Sequence, residues 1–164
     1  MSATGVETVD YYRDYMNHIN DMGWKSQMFY YLWDEPPYPS VSGVRRCDRN
    51  YSGTASTAWR DVYRKAKFFK DNAIDIPIMI TSSRQASEDC FTNYLSVPDY
   101  TRYLDVWTVP NSWMNGKPTG GFPFNTNLRR SYDTIITAGK ELWWYHACGS
   151  HGCGGSDTGY PTPM

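Results

Sequence analysis

The chain contains no apolar run long enough to cross a bilayer, so no membrane-spanning helix is expected. It also lacks an excess of charge of one sign: 16 Lys and Arg stand against 17 Asp and Glu in 164 residues, a formal charge of −1. The basic residues are scattered, with Arg45, Arg46 and the pair Arg129 and Arg130 the densest. Neither a nucleic-acid stripe nor an anionic-membrane patch is therefore expected as a partner surface. The opening MSATGVETVDYYRDYMN has no positively charged start followed by an apolar stretch, so no signal peptide is expected. Cysteine is sparse, four in all. A chain of this length buries a sizeable core without needing metals or disulfides to hold it. One domain over residues 1–164 is the expected organisation, with a turn-rich tail at 149–164.

What the chain has in quantity is aromatic surface: 7 Trp, 14 Tyr and 6 Phe, 16% of residues. Aromatic rings fill cores, and they are also the flat faces on which pyranose rings stack. The count alone leaves both uses open.

Helical and strand patterns alternate along the chain. Val9, Tyr12, Met16, Ile19 and Met22 recur at the spacing of one helix face, with Gly23 as the stop. SQMFYYLW follows, too apolar to alternate, and reads as a strand buried on both faces. A loop at 35–53 leads to a second amphipathic helix marked by Trp59, Val62, Tyr63, Ala66 and Phe69, with Thr54 or Ser56 as the cap. IPIMITSS reads as a second buried strand. The stretch from Gln85 to Tyr103 is irregular or partly helical, interrupted by Pro98, and LDVWTVP is a third strand. A loop at 111–126 precedes a helix carrying Leu128, Tyr132, Ile135 and Ile136, closed by Gly139. KELWWYHAC is the last strand.

This alternation is that of an α/β protein with a parallel sheet. Four strands are half of the eight that close a TIM barrel of about 250 residues. The expected fold is thus a parallel four-stranded βα repeat like half of a (β/α)8 barrel, completed by oligomerisation or by a further segment. An open α/β sheet is the alternative, and its exposed edges would favour a partner.

In either architecture ligands gather at the C-terminal ends of the strands. Asp34 and Glu35 follow the first strand, Thr81 to Arg84 the second, Asn111 and Trp113 the third, and Tyr145 to Cys148 the fourth. Adjacent carboxylates in a low-dielectric pocket repel, so one is expected to hold a proton and serve as an acid. Most glycosidases place two carboxylates about 5 to 5.5 Å or about 6.5 to 9.5 Å apart across the scissile bond. Here Asp105 and Glu141 fall at strand beginnings, leaving only Glu88 and Asp89 as second candidates. That scarcity favours substrate-assisted hydrolysis, in which the 2-acetamido group of the sugar attacks its own anomeric carbon. The competing use of Asp34 and Glu35 is a solvated cap, or a loop salt bridge with Arg45 or Arg46.

YLWDEP at 31–36, DVWTVP at 105–110 and GKELWWYHACG at 139–149 resemble, in order and spacing, the C-terminal half of the catalytic barrel of glycoside hydrolase family 123, over roughly residues 6–149. That family contains β-N-acetylgalactosaminidases and overlaps a bacterial domain of unknown function. The resemblance implies Glu35 as the acid/base and Asp34 as the residue orienting the acetamido group. It further implies Tyr145, Trp113 and Trp144 as pocket residues, beside Trp33 and Asn111 at strand ends, and no cofactor or metal. The expected partner is a carbohydrate. The family's earlier barrel strands and preceding β-sandwich are missing from the match, so a non-catalytic carbohydrate-binding or assembly module derived from such a barrel is the second reading.

The cysteines allow Cys148 with Cys153, or Cys47 with Cys90, to form disulfides in an oxidising compartment, which favours an extracellular or periplasmic location. Free thiols are a second possibility. HACGSHGC offers zinc-type ligands in His146, Cys148, His151 and Cys153, without the CxxC spacing that identifies such sites. The sequon at Asn50 is given no functional role.

Overall fold

In a computed structural model, residues 8–37, 40–41, 44–50, 52–110 and 128–145 are described, with only the backbone of 40, 41, 44, 45, 110 and 128–131. The chain divides into two compact units, Met1–Trp107 and Thr108–Met164.

The first unit begins with α1, Val9–Asp21. Thr8 caps it by accepting the Tyr11 N–H at 3.1 Å, and Tyr12, Met16 and Ile19 form its buried face. Gly23 ends it at φ +72°, where a side chain would be strained. The Gly23 and Trp24 N–H groups close back on Asn20 and Ile19 carbonyls at 2.9 and 3.0 Å, satisfying the last turn.

Strand β1 is Tyr30–Trp33. It is shorter than SQMFYYLW because Lys25–Gln27 turn in a single 3-10 helix. It is also half-buried and exposed in alternation rather than buried on both faces. The reason is its place: β1 is the edge of a four-stranded parallel sheet in which β4 (Ile78–Thr81), β5 (Val106–Pro110) and β6 (Glu141–Tyr145) follow it in that order.

The segment expected to be a plain loop at 35–53 carries a small antiparallel pair, β2 (Ser40–Val41) and β3 (Val44–Arg45). Ser42-Gly43 between them is a turn signal the helical and strand periodicities do not register. Helix α2, Ala58–Asp71, buries Trp59, Val62, Ala66 and Phe69. Its N-cap is Thr57, one residue beyond Ser56, whose hydroxyl accepts the Ala58 N–H at 3.3 Å.

Aromatic edges join α1, β1 and α2. Phe69 lies 4.8 Å from both Tyr12 and Tyr30, edge to face in each case. The Lys65 ammonium donates to the Tyr12 hydroxyl at 2.8 Å and lies within 6 Å of four rings, Tyr12, Tyr30, Phe68 and Phe69. Each buried large apolar side chain contributes about 2 kcal/mol of transfer free energy, so this cluster outweighs the surface ion pairs around it.

Strand β4, Ile78–Thr81, is buried throughout, as the apolar run Ile78 to Ile80 predicts, with the Thr81 hydroxyl buried at its end. Helix α3, Arg84–Asp89, is capped by the Ser83 hydroxyl, which accepts the Ala86 N–H at 3.1 Å. A π-helical turn, Cys90–Tyr94, and a 3-10 turn, Tyr100–Arg102, fill the stretch read as irregular. Cys47 and Cys90 are disulfide-bonded across 43 residues, with Cα atoms 5.4 Å apart. The fully buried Trp107 donates its indole N–H to Ser87 at 3.1 Å.

Strand β5, Val106–Pro110, runs across the division between the units. The second unit continues with α4, Leu128–Thr137, burying Tyr132 and Ile135, while Ile136 is exposed. Gly139, again at positive φ, ends α4 by the same closure as Gly23. Strand β6 is Glu141–Tyr145. Among the described residues no helix is long and apolar enough to cross a membrane.

Candidate functional site

The site is built from the exit of β1. In register with β4, Tyr30 faces Ile78, Tyr31 faces Met79 and Trp33 faces Ile80, so Leu32 is an extra residue, a β-bulge. Alternation without it would put Tyr31 and Trp33 on one face of the strand. With it, Trp33 takes the face of Tyr30, and Asp34 comes round to the face of Tyr31.

Tyr31 uses that geometry. Its hydroxyl donates to Asp34 Oδ1 at 2.7 Å and is hydrogen-bonded to the hydroxyl of Thr81 at the end of β4. An ionised carboxylate only accepts, and a phenol has one proton to give. Thr81 is therefore the donor to Tyr31, and the chain runs Thr81 to Tyr31 to Asp34. Burial pushes the Tyr31 phenol up to about 12; Asp34 and Glu35 add to the rise and the Thr81 bond opposes it. Tyr31 thus remains a donor through the physiological range.

Glu35 has φ +45°, in the left-handed region, immediately before Pro36. A side-chain-bearing residue there costs of order 1 kcal/mol, and a following proline favours extended backbone instead. The surroundings enforce it: Pro36 and Pro37 are buried, and the fully buried Trp59 of α2 donates its indole N–H to the Pro37 carbonyl at 2.8 Å. The paired prolines and α2 hold the turn that aims the two carboxylates. Asp34 is exposed and Glu35 half-buried, so the described residues do not enclose the low-dielectric pocket expected around them.

Trp33 lines a cleft of about 690 Å³ on the other face, together with Tyr30, Leu32, Arg64, Lys65 and Phe68. It is an open groove between β1 and α2 whose lining mixes aromatic rings with the charged side chains of Asp61, Arg64 and Lys65.

The other carboxylates are occupied structurally. Asp105 accepts from Lys70 at 2.7 Å and from the Ile78 N–H at 2.9 Å, fixing the start of β4, in keeping with its place at a strand beginning. Glu88 pairs with Arg84 at 2.5 Å and Asp89 accepts from Asn93. In the second unit Glu141 accepts the Trp143 indole N–H at 2.8 Å. Asn50, the sequon residue, folds its own loop, its side chain accepting from Ser52 and Thr54 N–H groups.

Of the remaining sequence-derived site residues, Trp144 and Tyr145 lie on β6, Trp144 at 67% exposure and Tyr145 half-buried. Asn111 and Trp113 lie outside the described residues, as do Cys148, Cys153 and the rest of HACGSHGC. Among the described residues no three His, Cys, Asp or Glu gather as metal ligands. Tyr31 was absent from the sequence-derived set because only the bulge puts it beside Asp34. Compared with protein-family models, curated proteins and solved structures, the chain matches none.

Proposed function

We propose that the chain is a glycoside hydrolase of the retaining, substrate-assisted kind, acting on a β-linked N-acetylhexosamine, with N-acetylgalactosamine as the sugar that the resemblance implies. The observation carrying this reading is the pair Asp34–Glu35 at the C-terminal end of a parallel strand, beyond a bulge and on a strained backbone. Bulges and strained residues gather where a side chain must be aimed, and a solvated loop needs neither. In this mechanism Glu35 gives its proton to the glycosidic oxygen as the acetamido carbonyl oxygen attacks the anomeric carbon. The alcohol leaves and a cyclic oxazoline-type intermediate forms. Asp34 accepts the acetamido N–H and stabilises the positive charge developing on that group. Glu35, now a carboxylate, takes a proton from water as that water opens the ring at the anomeric carbon, giving net retention.

The fold of this reading is half of a (β/α)8 barrel, completed by a second copy or by the remainder of a barrel. The edge position of β1 and the exposure of Phe29, Tyr31 and Trp33 support a partner on that side. Light scattering on the purified chain tests the second copy. The Cys47–Cys90 disulfide supports an extracellular or periplasmic location.

A non-catalytic carbohydrate-binding module is the second reading, and the aromatic cleft beside Trp33 favours it. One experiment separates the two: release of aryl alcohol from a 2-acetamido-2-deoxy-β-D-galactoside and from its 2-hydroxy analogue, by the wild-type chain and by Glu35→Gln. Turnover of the acetamido substrate alone, lost in the variant, is the expected result. Glycan binding without turnover, unchanged in Glu35→Gln, would establish the binding module instead.

A further inference from the structure

We propose that Tyr31, held by Thr81, is the positioning residue of this site: its hydroxyl occupies Asp34 Oδ1 and leaves Oδ2 as the oxygen presented to the substrate amide. The inference rests on the substrate-assisted reading and adds to it the residue that decides how Asp34 meets the sugar.

A carboxylate at the end of a side chain has a broad, two-fold torsion, so an exposed aspartate samples many orientations. Substrate assistance does not tolerate that freedom, since the amide must be turned until its carbonyl oxygen faces the anomeric carbon in a near-attack geometry. The 2.7 Å bond from Tyr31 is within the range expected for a hydroxyl donating to a carboxylate oxygen. Its anchor is rigid: Thr81 is only 3% exposed, on a strand buried along its whole length. The groups bearing on the Tyr31 phenol are Thr81 from β4 and Asp34 and Glu35 from the β1 exit. The phenol has one proton and gives it to Asp34 Oδ1, so the Thr81 hydroxyl donates to Tyr31 in turn. The register gives an independent argument: Tyr31 pairs with Met79, and Thr81, two residues further along β4, lies on the same face. The relay is therefore built into the strand pairing.

The test uses Tyr31→Phe and Thr81→Val, each close in shape to the residue replaced, with folding checked by circular dichroism. Expected for Tyr31→Phe is a fall of about 10- to 100-fold in kcat with little change in KM, and a smaller fall in the same direction for Thr81→Val. A thiazoline analogue of the cyclic intermediate should bind Tyr31→Phe more weakly by a similar factor, while N-acetylgalactosamine itself binds nearly as before; a merely structural role would weaken both. A readout independent of turnover is the titration of the Tyr31 ring followed by carbon NMR, expected near 12 and lower in Asp34→Asn. Active wild-type protein with Tyr31→Phe equal to it overturns the inference alone. A Tyr31 titration unmoved by Asp34→Asn also overturns it. Wild-type protein inactive on the acetamido substrate overturns the reading beneath it, and the positioning role with it.

Discussion

Tyr31 and Asp34 are three residues apart at the end of an extended strand, yet the phenol of one donates to the carboxylate of the other at 2.7 Å. Residues at that separation lie on opposite faces of a regular strand; the bulge at Leu32 cancels the odd step. The geometry of the site therefore depends on one extra residue in the β1–β4 pairing, and its consequences can be measured.

The Glu35 backbone should be a site where stability and function oppose each other. Glu35→Gly relieves a left-handed conformation and is expected to stabilise the fold by about 1 kcal/mol, raising Tm by about 3 °C, while abolishing turnover. Glu35→Gln keeps the strain, so its Tm should lie below that of Glu35→Gly. Calorimetry on the two variants checks this, and equal Tm values for Gly and Gln would show that the turn carries no strain.

Trp59 links α2 to the turn after the carboxylates. Trp59→Phe removes the indole donor from the Pro37 carbonyl and part of a fully buried ring. The expected cost is about 2 kcal/mol in a urea titration. Turnover should also fall at temperatures where the variant is fully folded, because the turn is less firmly held.

Reduction of Cys47–Cys90 should be costly. The bridge closes a 43-residue separation, for which the chain-entropy model gives about 4 kcal/mol. Tm in the presence of dithiothreitol, compared with the Cys47→Ala/Cys90→Ala variant, measures it. Two free thiols at these positions in the protein as isolated would refute the pairing.

Alkaline stability should report Tyr31. Its folded-state value, about 12, lies above the ordinary value of 10.0. Below pH 10 the phenol is protonated whether the chain is folded or not, and its contribution is complete. Between pH 10 and 12 the unfolded chain releases the proton first, so stability is lost as pH rises. Tyr100 and Tyr103 are also raised, chiefly by burial, and add to the same decline. The slope of unfolding free energy over that interval should be shallower in Tyr31→Phe than in wild type; equal slopes would place Tyr31 in an ordinary environment.

Helix α1 with its glycine stop, the buried face of α2, strand β4 and the alternation leading to a parallel sheet all follow from local pattern. Apolar spacing of three to four residues and the tolerance of glycine for positive φ act within a few positions of the chain, so they are legible in it. The same holds for placing Asp34 and Glu35 at a strand exit and Asp105 at a strand beginning. What the sequence could not disclose depends on pairing. That β1 is an edge, and so half exposed despite its apolar composition, is a property of its neighbours. The bulge is a property of register between two strands, and it alone places Tyr31 with Asp34 and sends Trp33 to the α2 side. The strain at Glu35 is sustained by Trp59, in a helix more than twenty residues away. Local composition determined the elements and the carboxylates; tertiary pairing determined which side chains meet, because hydrogen bonds between strands fix a face that no single strand specifies.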